Sequence, residues 1–153
     1  MEHDHAAPPT LNRTAFQATV HCLTGCAIGE ALGLAIATAL GLPDVPSILL
    51  AIILAFVFGY GLTMRPLVGR GMAFRPAARL ALAADTVSIA VMEVMDNLIV
   101  LLIPGAMAAG LLDGLFWASL AVSLAVAFLV AFPVNRWLIT RGLGHAVVHG
   151  QHQ

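Results

Sequence analysis

The chain has 153 residues, 60% of them apolar and 10% charged, with a mean hydropathy of +0.95. Soluble domains carry roughly 25% charged residues, and this chain contains no lysine, so an ordinary soluble fold is excluded in favour of a polytopic membrane protein. The formal net charge of −1 says nothing of partners, but the absence of a basic patch interleaved with aromatics argues against nucleic acid as one.

Residues 1–13, "MEHDHAAPPTLNR", read as a polar tail. They lack the cationic region followed by an apolar core that marks a secretory signal, so the first membrane helix is expected to be retained as an anchor. Four apolar segments follow: about Thr14 to Leu42, Ser47 to Val68, Ala77 to Ile103 and Leu111 to Ile139. Each reaches the ~20 residues that cross ~30 Å of hydrocarbon at 1.5 Å per residue. The punctuation agrees. "GLPDVP" (Gly41–Pro46) reads as a tight turn with Asp44 available to cap, and "PLVGRGMAFRP" (Pro66–Pro76) as a break. "PGAMAAGLLDG" (Pro104–Gly114) reads as a short turn, and Pro133 as a kink in the fourth segment. Residues 14–140 thus form the transmembrane domain, and residues 141–153 a histidine-containing tail.

All seven cationic residues fall at one end of such a bundle: Arg13 before the first helix, Arg65, Arg70, Arg75 and Arg79 around the middle loop, and Arg136 and Arg141 at the close of the fourth. The positive-inside rule makes that side cytoplasmic. The expected fold is an all-α membrane protein with four transmembrane helices, both termini cytoplasmic, in a bacterial inner membrane.

Two spans carry polar residues at membrane depth. In "HCLTGCAIGE" (His21–Glu30), Cys22, Cys26, Gly29, Glu30 and Gly33 recur at steps of three and four and share a face. Asp85, Ser88, Met92 and Asp96 make a second stripe on the third helix, with Glu93 beside it and Asn97 next to Glu93 at i+4. Both glutamates lie about 21 Å from the arginine-marked edge. A charged carboxylate facing lipid at that depth costs a few kcal/mol, so both stripes are expected to face inward and towards each other. Gly25, Gly29 and Gly33 form a small-xxx-small ladder, expected to seat the first helix closely on the third.

Thiols, an imidazole and a thioether suit a soft or borderline cation such as copper(I) or zinc, whereas carboxylates suit protons and hard cations. The candidate metal ligands are His21, Cys22, Cys26 and Met92, with His145 and His149 in the C-terminal tail at helical spacing. The candidate cation path is Glu30, Asp85, Glu93, Asp96 and Asn97, with Asp85 at its inner mouth. The cysteines are expected as free thiols or ligands, since two neighbouring thiols in one span are no disulfide framework. No P-loop, dinucleotide fingerprint or Ser–His–Asp arrangement is present, so no enzyme is expected.

"LNRTAFQATVHCLTGCAIGEALG", "VMEVMDN" and "NRWLITRGLGHAVVHGQH" together resemble a bacterial membrane family, domain of unknown function 4396, from Leu11 to His149. The "HCxxGCxxGE" signature is the specific part. The resemblance implies a small helical membrane domain and no particular chemistry. The expectation is a small protein that binds a metal or translocates a cation through a polar seam between helices 1 and 3. A homodimer is expected if transport occurs. The alternative is an accessory or assembly subunit of a larger membrane complex.

Overall fold

The structure, a computed structural model, describes residues 10–143. Four long helices run up and down: α1 (Leu11–Leu40), α2 (Asp44–Gly69), α3 (Phe74–Leu102) and α4 (Gly114–Thr140). A single 3-10 turn, Ala106–Ala108, interrupts the last connection. Three of the helices, α1, α2 and α4, are long and apolar enough to cross a membrane. The three carboxylic acids of α3 all lie on its buried face, and its outward surface is Val87, Val94, Leu98 and Leu101.

The helix ends sit close to the expected ones, with informative differences. Arg13 lies in the first turn of α1, where its backbone N–H is capped by Thr10 Oγ1 at 3.4 Å. At the other end Gly41 adopts φ 62° and closes the helix. The Leu42 N–H then reaches back to the Ala37 carbonyl at 2.9 Å, an arrangement that needs a residue tolerant of the left-handed region. Asp44 does not cap α2. It occupies the first helical turn, where its charge suits the helix dipole, and Ser47 Oγ donates to the Pro43 carbonyl at 2.9 Å instead. Pro66 and Pro133 both fall inside continuous helices rather than ending them. Each forfeits one backbone hydrogen bond, which a long helix held by its neighbours absorbs.

Small residues at every fourth position let the helices approach. On α2 the row is Ala51, Ala55, Gly59 and Thr63; on α4 it is Ser119, Ser123, Ala127, Ala131 and Asn135. The most extensive interface joins α1 to α2, followed by α3 with α4. α1 also meets α4, and α2 meets α3, so α1 and α3 face each other across the diagonal.

The glycine ladder of α1 therefore does not seat on α3 as expected; it seats on α2. A Cβ built on Gly25 would lie 2.7 Å from Gly59 Cα, and one on Gly33 would lie 2.7 Å from Ala51 Cα. One on Gly29 would run into the Ala55 backbone. The reason is angular. At 100° per residue, the Gly25–Gly29–Gly33 row is turned about 60° from the Cys22–Cys26–Glu30 row, so the two rows serve two different neighbours.

Because backbone atoms cannot step aside, Gly29→Leu is expected to destabilise the bundle by about 1–3 kcal/mol or more. Gly61→Leu, where a Cβ meets nothing within 4 Å, is expected to be neutral or slightly stabilising. Thermal unfolding in detergent compares the two directly.

Candidate functional site

Between α1 and α3 the two polar stripes face each other along the bundle axis, as their spacing predicts. Nearest the arginine end, Cys22 Sγ donates to Asp85 Oδ1 at 3.8 Å. One turn on, the Cys26 thiol adjoins the Glu93 carboxyl. Another turn on, the carboxyl groups of Glu30 and Asp96 lie close enough to share a hydrogen bond. α1 thus offers thiol, thiol, carboxyl, and α3 answers each with a carboxyl. Met92 is fully buried in the same core as both cysteines, beside Ile89. Asn97 donates Nδ2 to the Glu93 backbone carbonyl at 2.8 Å.

Asp85 is expected at an inner mouth, but it is wholly buried. Thr63 on α2 and Cys22 both hydrogen-bond its carboxyl. Between it and the arginine end lie the buried side chains of Ala15, Ala18, Leu67, Ala77, Ala81 and Leu138. His21 does not join the two cysteines in a common cluster. Its ring turns to α2, with Nε2 2.7 Å from Thr63 Oγ1. The cysteines are free thiols. Among the described residues, no group of three or more His, Cys, Asp or Glu side chains is placed to hold a metal ion. His145 and His149 lie outside the described residues.

Two residues that the sequence reading passed over complete the arrangement. Asn135 Nδ2 donates to Thr19 Oγ1 and to Ser88 Oγ, both at 2.9 Å. Thr63 bridges His21 and Asp85. The lower half of the bundle is therefore cross-linked by a polar network that draws on all four helices. The signal for both residues was available: each terminates a run of small residues spaced by four on an otherwise apolar segment.

The upper half is different in kind. A cavity of about 320 Å³ opens at the end away from the arginines, among the α1–α2 turn, residues 106–110 and the start of α4. Glu30, Asp96 and Asn97 form its floor. Asp96 is only 2% exposed, and its Oδ1 has no hydrogen-bond partner. Immediately below, neither oxygen of the buried Glu93 carboxyl has one. A buried acceptor without a donor costs about 1–3 kcal/mol, so three such atoms in succession make an unusually acceptor-rich stretch of core.

A helical bundle with spans of this length, a lipid-compatible apolar exterior and its carboxyl groups turned inward is a multi-pass membrane protein. A family model described as domain of unknown function, DUF4396, matches residues 11–144, and the chain belongs to that family. No curated protein and no solved structure matches it.

Asn135→Ala removes two interhelical hydrogen bonds whose typical value in membranes is about 0.6 kcal/mol each. The expected loss is about 1–2 kcal/mol, read by denaturant titration of the purified protein in detergent, with little change in helix content.

Proposed function

We propose that the protein binds a cation in the seam between α1 and α3 and passes it across the membrane. In this reading α3 is the fourth span. The arginine end, with both termini, faces the cytoplasm of a bacterial cell, and the cavity opens on the opposite side. α3 can span despite its acidic residues because Asp85, Glu93 and Asp96 are buried among the other helices and its outward mid-helix side chains are apolar apart from Thr86, whose hydroxyl donates to the Leu82 carbonyl.

The observation that carries the proposal is Asp96, which lines the floor of an open cavity and whose buried Oδ1 has no donor, with Glu30 beside it and the Glu93 carboxyl, met by the Cys26 thiol, one turn deeper. A cation entering from the open end meets this paired carboxyl station first. It supplies what the buried acceptors lack, and its charge offsets the cost of holding a carboxylate away from water. Below Glu93 the seam narrows to Met92, Ile89 and the two thiols before reaching Asp85. That stretch is an apolar barrier between an upper and a lower station. Passage requires the helices to shift, because the arginine end is closed by buried alanines and leucines.

A resident soft metal is the lesser reading, since His21 is turned away to Thr63 and the thiols are each engaged singly with a carboxyl. The two readings separate in liposomes containing the purified protein, with fluxes of protons, sodium, potassium, zinc, copper(I) and a small organic ammonium ion measured under an imposed membrane potential. Glu93→Gln and Asp96→Asn are expected to cut the flux of the transported cation at least tenfold, equivalent to about 1.4 kcal/mol on the barrier. The Cys22→Ser/Cys26→Ser double variant is expected to retain it. Flux no greater than in empty liposomes for every cation overturns the proposal. Loss confined to the thiol variant transfers it to the soft-metal reading.

A further inference from the structure

The shape and lining of the upper cavity say more than that its floor is acidic. Asp96 and Glu30 supply carboxyl oxygens there. Most of the nearby donors are already engaged: Ser47 Oγ donates to the Leu42 and Pro43 carbonyls, Ser119 Oγ to the Leu115 carbonyl and one Asn97 Nδ2 N–H to the Glu93 carbonyl. The floor therefore asks for a donor-rich, positively charged head. The walls ask for something else. Leu34, Ile48, Val100, Met107, Phe116 and Leu120 surround the space above the floor. These six side chains carry no oxygen, and the polar side chains of the lining away from the floor are Thr38, Asp44, Ser47 and Ser119, dispersed along the walls rather than gathered into the six or more oxygens that a hard metal cation needs.

Volume separates a bare ion from a larger ligand. A cavity of about 150 Å³ with apolar walls holds a benzene molecule, and this one is about 320 Å³. A proton or a metal ion alone would leave most of it to water lying against aliphatic side chains. An ammonium group carrying an apolar body of roughly eight to ten heavy atoms would fill it, the usual division of labour in a ligand pocket. Charge placement agrees. Asp44 stands in the lining near the mouth, and every arginine lies at the other end of the bundle. A ligand bearing its own carboxylate would meet three acidic groups and no cationic one.

We infer that the upper cavity is a binding site for a small organic cation, a primary amine with an apolar body, whose ammonium group is held between Asp96 and Glu30. This rests on the cation-binding reading of the seam and names the class of cation.

The test uses the full-length protein in a neutral detergent, with benzylammonium chloride as probe. Benzyl alcohol serves as its neutral counterpart, and sodium, potassium and zinc chlorides as inorganic controls. Benzylammonium at about ten times its Kd is expected to raise the unfolding midpoint by about 3–6 °C, with benzyl alcohol and the inorganic salts far weaker. Asp96→Asn is expected to abolish the shift; if that variant fails to fold, Glu30→Gln carries the same comparison. An equal shift with benzyl alcohol, or one that survives both substitutions, overturns the inference in favour of a simple apolar void. A carboxyl-dependent shift with an inorganic cation and none with benzylammonium also overturns it, while leaving the cation reading standing. No shift with any cation, together with no flux in liposomes, removes both.

Discussion

The fold depends on the approach of α1 to α2. Gly25, Gly29 and Gly33 lie against the backbones of Gly59, Ala55 and Ala51 with no room for a Cβ. In a membrane there is little hydrophobic force to drive two apolar helices together, so close van der Waals contact between small residues must do it. Once that interface is set, the rotation of α1 about its own axis is set too. The Cys22–Cys26–Glu30 row then has one place to point, which is the interior, where α3 returns the matching row of carboxyls. The polar seam is thus a consequence of a glycine contact on a different side of the same helix.

The seam has two halves with opposite characters. Towards the arginine end, hydrogen bonds are made and closed: His21 with Thr63, Thr63 with Asp85, Cys22 with Asp85, Asn135 with Thr19 and Ser88. A network of this kind, drawing on all four helices, holds them in one arrangement. Towards the other end, Glu93 and Asp96 carry buried oxygens to which no N–H or hydroxyl donates, beside an open cavity. One half is cross-linked between all four helices, and the other opens on a cavity.

Much of this could be read from the sequence. The four helices, the inward turn of the acids and the pairing of the α1 and α3 stripes all follow from periodicity and the cost of charge in hydrocarbon. The glycine partner did not. Gly25, Gly29 and Gly33 share a broad face with Cys22, Cys26 and Glu30, and a single helix's stripe does not say which of two neighbours meets which edge of it. Thr63 and Asn135 were overlooked for a related reason, since each is an uncharged polar residue in a largely apolar helix and acquires meaning only from partners 22 to 116 residues away. The cavity was also out of reach. It depends on the connection at residues 103–113, whose 3-10 turn and cap geometry arise from local backbone bonds rather than from any periodic pattern.

The depth of the cavity floor carries an electrical consequence. Glu30 lies ten residues from the C-terminal end of α1, about 15 Å along a helix of about 45 Å. A monovalent cation seated there from the open side has already crossed about a third of the membrane's thickness. A full crossing by one elementary charge is worth about 2.3 kcal/mol per 100 mV, so occupancy of this station alone is worth about 0.8 kcal/mol per 100 mV. Under the proposed orientation and cation-binding role, with the negative side of an energised membrane at the arginines, the resting voltage itself would concentrate cations at this station before any helix moves.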